Sequence, residues 1–206
     1  MSGGGRAAAL LAAFFRQDTV TVARGLLGAT LVTSRRDRQT AGIIVEVEAY
    51  LGAEDPASHA YKFRRHAGNG ALYGPAATWY VYRSYGVHWC ANLVAGAPAK
   101  GGAVLLRAVE PVEGLDLMRR RRGVRESELL CAGPGRLTQA LGITRALDGR
   151  GMHSSSALVL RGSPIPDSDI AATGRIGISQ AADWPLRFVI RGSRWASRRT
   201  NGGRAK

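Results

Sequence analysis

An α/β (α+β) fold in a single domain is predicted by three features of the sequence. Its 206 residues are 45% hydrophobic and 21% charged, which suffices for one good-sized core and argues against a second. From Ala29 onward, runs rich in β-branched and aromatic residues are joined by short polar turns, the pattern of hairpins. Helical signals stand before and after these runs, ahead of Gly28 and beyond Pro111. No internal repeat interrupts the scheme.

Taken in order, Ala7 to Phe15 reads as a docking helix, with Leu10, Leu11, Phe14 and Phe15 at helical spacing on one face. Arg6 ahead of this apolar run imitates a secretory signal, but Arg16 cuts the run short and no small-residue cleavage site follows. Asp18 and Thr19 are good caps for a second helix to about Leu27, stopped by Gly28. Ala29 to Ser34 and Gly42 to Tyr50 then form a hairpin across the charged turn Arg35 to Arg38. Leu51 to Pro75 has no period, and a loop this long inside a compact domain is more often functional than idle.

Trp79 to Arg83 and Val87 to Leu93 make the next hairpin, with Ser84-Tyr85-Gly86 at its tip. Ala103 to Glu110 is an apolar strand that Pro111 ends. Val112 to Arg122 and Pro134 to Leu141 are helical, the second with Pro at its start. The run Arg119 to Arg122 reads as a solvated helix end or as a phosphate contact. Leu186 to Arg191 is the last strand. Beyond Pro185 come seven basic residues, Arg187, Arg191, Arg194, Arg198, Arg199, Arg204 and Lys206, and no acidic one. These read as a phosphate-seeking arm whose end, from about residue 198, is disordered.

The formal net charge of +14 comes almost wholly from arginine and calls for an anionic partner. No apolar run reaches the roughly 18 residues of a spanning helix, so a membrane is not the expected partner. Five of the fourteen Phe, Trp and Tyr residues fall between Trp79 and Trp89. Aromatic faces stack on nucleobases and arginines neutralise phosphates, so the combination points to nucleic acid. The same aromatics could instead pack a core, because they favour strands in any case. Cys90 and Cys131 lack metal-ligand spacing, so neither a zinc nor an iron–sulfur site is expected; both read as free and buried, consistent with a reducing cytoplasm, with one disulfide left open.

Chemistry is suggested by two segments. In Gly42 to Gly52, strand alternation puts Glu46, Glu48 and Tyr50 on one face. A carboxylate in apolar surroundings becomes a stronger base, so Glu48 or Glu46 could activate water; a solvent-facing stripe is the competing reading. Arg107 sits within Val104-Leu-Leu-Arg-Ala, and a buried guanidinium needs an anion. Pairing with Glu48 would keep that carboxylate ionised; an ordinary strand salt bridge is the alternative.

The segments Glu48-Ala-Tyr50-Leu-Gly, His59, Tyr80-Val-Tyr82, Tyr85-Gly86, Asn92 and Leu105-Leu-Arg107-Ala-Val-Glu-Pro111 together resemble the alkyladenine (3-methyladenine) DNA glycosylases of the animal and bacterial type. Cys131-Ala-Gly-Pro134, Arg175-Ile-Gly-Ile178, Pro185-Leu-Arg-Phe188 and Arg191-Gly-Ser193 extend the resemblance over roughly Phe14 to Ser197. It implies a curved antiparallel β-sheet with surrounding helices and a protruding β-hairpin. It also implies a monofunctional enzyme, without metal or cofactor, that flips and excises alkylated, and by extension deaminated, purines from duplex DNA in base excision repair. Glu48 would activate water, with Arg107 and the Ile176 carbonyl holding it. Tyr50, His59 and Tyr82 would enclose the flipped base, Asn92 would crowd out the amino group of normal guanine, and Tyr85 would be the intercalating wedge.

Val87 and His88 depart from the family pattern, which commonly has Met and an aromatic there. The loop from Ala60 to Gly74 matches poorly, so its part in damage choice is not carried over. Scanning DNA for a lesion suits a monomer. A non-catalytic nucleic-acid-binding module would account for the charge and the aromatics but not for a carboxylate and an arginine on neighbouring apolar strands. A metal nuclease would need more clustered acids than Glu46 and Glu48.

Overall fold

The strand carrying the two glutamates is the spine of the molecule. The computed structural model describes residues 8–35 and 38–197. In it β2 (Arg38–Tyr50) pairs along one edge with β5 (Ala103–Glu113), and along the other with β1 (Thr30–Arg35) and then β8 (Arg187–Ile190). Outward from β5 lie β4 (His88–Val94) and β3 (Trp79–Ser84); β6 (Ala157–Leu160) adds to β1 and β7 (Ile170–Thr173) to β8. Every pairing is antiparallel, and the sheet of eight strands curves where β2 and β5 slip register three times.

Alternation divides the two faces. Trp79, Leu93, Val104 and Ala49 oppose one another across β3, β4, β5 and β2, as do Leu106 and Val47, and all lack exposed surface. Each large apolar side chain here stabilises the fold by about 1.5–3 kcal/mol. On this face pack α2 (Thr19–Leu26), α3 (Leu115–Arg122) and α4 (Pro134–Leu141), α2 against β2 and α4 against β4. The intervening row, Tyr80, Asn92, Leu105 and Glu48, opposes in the same register and therefore stands on the other face.

Cap and turn chemistry appear where the residue types demand. Asp18 accepts from the Thr21 N–H at 2.9 Å and opens α2. The β3–β4 turn has φ of +50° at Tyr85 and +67° at Gly86, with the Val87 N–H donating to Ser84. Positive φ at both central positions suits the twist of a hairpin, and glycine adopts it at no steric cost. Tyr85 sits there 91% exposed at the tip of the protruding hairpin.

Several expectations are corrected. Residues 8–11 are extended, with Leu10 bonded to Val159, and only α1 (Ala12–Phe15) is helical, so Leu10 and Phe15 are buried while Leu11 is exposed. Docking as an extra edge pairing satisfies backbone groups that a short isolated helix would leave open. Pro111 does not end β5, which runs on to Glu113; it pairs with Gly42 at a register shift, the kind of irregularity at which a sheet accommodates proline. β6 and β7 went unpredicted, being four residues each with too few alternations to read.

The four-arginine run is more than a solvated helix end. Arg119 bonds Asp116, Ser127 and the Arg125 carbonyl, within and just beyond its own helix, while Arg121 bonds the Ala140 carbonyl and Arg122 the Leu130 carbonyl and Gln139, so two of the four tie α3 to α4. The first basic residues beyond Pro185 are not a free arm: Arg187 bonds Glu46, Arg191 the Ser168 carbonyl, and Arg194 pairs with Glu128. The expected disordered tail, from residue 198, lies outside the described residues, as does Ala7, the first residue of the expected docking helix. Cys90 and Cys131 are both free and buried, and burial pushes the Cys131 thiol up to about 12.

Candidate active site

Arg107 reaches both glutamates because of a bulge. Between the pairs Glu46–Ala108 and Val47–Leu106 it is the unmatched residue of β5, and an unmatched residue bends the strand and re-aims its side chain. Its Nε donates to Glu46 Oε1 at 3.0 Å and its Nη1 lies 3.2 Å from Glu48 Oε1. Burial would lower the guanidinium's pKa, but Glu48 and Glu46 together outweigh it and hold the pKa above its ordinary value.

The two carboxylates, both without exposed surface, are held differently. Glu46 takes Arg107, the Arg187 Nε at 2.7 Å, and the Ser197 hydroxyl and N–H at 2.6 and 2.5 Å. Burial would raise its pKa, yet the Ser197 hydrogen bonds and the charges of Arg107 and Arg187 hold it below the ordinary carboxylate range. Glu48 takes Arg107, the Ile176 N–H at 2.8 Å on Oε1, and the Tyr50 hydroxyl at 2.9 Å on Oε2. The resemblance gives the Ile176 carbonyl to the water; the same residue's N–H is the group that meets Glu48, as an acceptor-only carboxylate requires.

Above Glu48 opens a cavity of about 1030 Å³, and Tyr50, Arg107 and Ile176, the three residues that bond Glu48, all line it. His59, Tyr80, Tyr82 and Asn92 form its inner wall. The rings of Tyr80 and Tyr82 stack 5.2 Å apart, His59 meets Tyr82 edge-on at 4.6 Å, and His59 Nδ1 is 2.7 Å from the Tyr80 hydroxyl. Burial, with the Glu48 charge and hydrogen bond, pushes the Tyr50 phenol well up; burial does the same at Tyr80 and Tyr82. Burial and neighbouring His66 lower the His59 imidazole, so it is neutral at pH 7. The result is a cage of uncharged rings over a buried carboxylate. Asn92 donates to the Tyr80 carbonyl at 3.1 Å, which fixes its amide in the wall.

Thus Glu48, Arg107, Ile176, Tyr50, His59, Tyr82 and Asn92, spread over some 130 residues of chain, are brought to one place, while Tyr85 at the hairpin tip borders the same cavity from its exposed side. Three participants were missed. Tyr80 shares a face with Tyr82 and could have been found from alternation. Asp55 and Arg175 form a buried ion pair behind Tyr50, and their only sequence signal is an acid in a loop and a basic residue in a matching motif. The loop from Ala60 to Gly74 backs the cage: Leu72 lines the cavity, Ala60 and Leu72 pack with Tyr80, and the Asn69 side chain donates to the His59 carbonyl at 2.9 Å. At the cavity mouth stand Arg83, Arg122, Arg136 and Arg194.

The family model described as methylpurine-DNA glycosylase (MPG) matches residues 13–194. A Methanoculleus marisnigri protein is 51% identical over 193 residues, covering 92% of this chain and 99% of the relative. An Agrobacterium fabrum protein is 47% identical over 186 residues, covering 90% and 91% of the two chains. A Rhodopseudomonas palustris protein is 45% identical over 184 residues, covering 89% and 88%. All three carry the name "Putative 3-methyladenine DNA glycosylase".

Proposed function

The chain belongs to the methylpurine-DNA glycosylase family, and from the caged carboxylate we propose how it works as an alkylpurine DNA glycosylase. A damaged purine leaves the duplex and enters the cavity between Tyr50, His59, Tyr80 and Tyr82, with Tyr85 filling the vacated stack. Glu48 then takes a proton from water as that water attacks C1′, and the glycosidic bond breaks with its electrons on the purine. The observation that carries this reading is that Glu48, itself buried, is held by Tyr50, Arg107 and the Ile176 N–H, three residues that all line the cavity of the aromatic cage. A carboxylate offers about four acceptor positions, so three donors leave capacity for one water.

A sugar of oxocarbenium character needs the nucleophile on one side and a good leaving group on the other. An alkylated purine already carries positive charge and leaves as a neutral base, so no enzymic acid is required. The uncharged rings attract such a cation through their π faces. Asn92, fixed in the wall, takes the space that the amino group of normal guanine would need. Extension to deaminated purines requires a proton from elsewhere. Extrusion costs a few kcal/mol, and stacking recovers roughly 1–3 kcal/mol per base, so weakened pairs open in preference to sound ones. The arginines at the mouth neutralise flanking phosphates.

The enzyme is monofunctional and acts as a monomer in this reading. A lyase step needs an amine nucleophile, and neither Lys62 nor Lys100 lines the cavity. The test is to incubate the protein with alkylated and with inosine-containing duplex, with chelator present, and to identify released bases by mass spectrometry. Release of alkylpurines without strand cleavage supports the reading; strand cleavage, or no release, overturns it.

A further inference from the structure

Arg175 is buried without exposed side-chain surface, and its two terminal nitrogens meet the Asp55 carboxylate at 2.5 and 2.8 Å. Nη1 also donates to the Ala49 carbonyl at 3.1 Å, and Asp55 in turn accepts from the N–H groups of Leu51 and Ala57. The guanidinium carbon lies 4.6 Å from the centre of the Tyr50 ring. Nε is buried and has no hydrogen-bond partner among the described residues. Such orphaned buried donors are rare and call for a reason. Here the plane of the guanidinium is set by the ring and the Asp55 fork, at the expense of one donor. Tyr50 lines the cavity and Arg175 does not, so the cation stands behind the ring.

We propose that Arg175 is a specificity-determining positioning residue that, stacked behind Tyr50 and partly neutralised by Asp55, sets how strongly the pocket prefers a cationic over a neutral purine. The attraction of a ring for a cation comes from one quadrupole shared by both faces. A guanidinium on the outer face draws on the same electrons and repels a second positive charge across the ring. A neutral purine stacks without that penalty. Asp55 offsets part of the charge, so the pair tunes the pocket toward accepting both classes. The inference rests on the reading of Tyr50 as a wall of the base pocket.

The test measures equilibrium affinity in a Glu48→Gln background, where excision is suppressed, for duplexes bearing 7-methylguanine, which is cationic, or hypoxanthine, which is neutral. Arg175→Met should raise the preference for 7-methylguanine about fivefold, and Asp55→Asn, which leaves the guanidinium uncompensated, should lower it about threefold. The opposite signs are the signature, because a merely structural clamp would shift both lesions together in both variants. Asp55→Asn is isosteric and keeps a carbonyl acceptor, so it reads the effect even where Arg175→Met fails to fold. Unchanged preference, or a shift in the same direction in both variants, overturns the proposal. A Glu48→Gln parent that binds neither lesion better than undamaged duplex overturns the base-pocket reading itself, and the inference with it.

Discussion

Glu46 and Glu48 stand two residues apart on one strand, both fully buried and both against Arg107, yet they answer to different surroundings. Around Glu46 four donors fill the acceptor positions of the carboxylate: the Arg107 Nε, the Arg187 Nε from β8, and the Ser197 hydroxyl and N–H, which tie the C-terminal segment into the frame at the centre of the sheet. Glu48 is held by three residues that also face the cavity. Burial and an arginine partner therefore do not by themselves mark a catalytic carboxylate. What separates the two is capacity: Glu46 is filled by four donors that tie the frame together, whereas Glu48 has three, one of them the cage residue Tyr50, and an acceptor position to spare.

Substitutions can break or sharpen this contrast. The largest effect is expected for Glu48→Gln: single-turnover excision should fall by a factor on the order of 10²–10⁴ while lesion binding persists. Retained excision would remove the contrast altogether. Glu46→Ala should act mainly on stability, on the order of 3 kcal/mol in urea unfolding, because it leaves the Arg187 and Arg107 guanidinia short of an anion. A stable Glu46→Ala protein that has lost excision would reverse the assignments.

Tyr85→Ala extends the comparison to a residue with no part in the frame. At 91% exposure its loss should leave stability within about 0.5 kcal/mol, yet weaken lesion binding about tenfold with the salt dependence unchanged. An unaltered flipping equilibrium, read by a fluorescent base, would count against the wedge.

The smallest effect concerns pH. Because the Glu46 carboxyl is held below its ordinary value of 4.5, its contribution to stability is fully present above 4.5 and is lost as pH falls through the lower, folded value. Urea unfolding followed from pH 5 to pH 3 should decline less steeply in Glu46→Gln than in the parent; equal slopes would mean the frame around Glu46 does not hold its charge.

Much of this site is visible in the chain itself. Alternation in β2 puts Glu46, Glu48 and Tyr50 on one face, and Tyr80 and Tyr82 share a face by the same rule. The cap at Asp18 and the turn at Tyr85-Gly86 follow from residue chemistry. Such features are local: a strand's period or a turn's φ depends on a handful of adjacent residues, and the resemblance of the motifs named the remaining members of the cage.

The partners of those residues were settled only in three dimensions. Arg107 faces two carboxylates because a bulge re-aims it, and a bulge is a property of two paired strands rather than of either alone. Asp55 and Arg175 lie 120 residues apart, Glu46 and Ser197 151, and no periodicity spans such intervals. The sequence determined which side chains share a face; tertiary structure decided which charge meets which, because a buried ion must find its partner wherever the folded chain brings one.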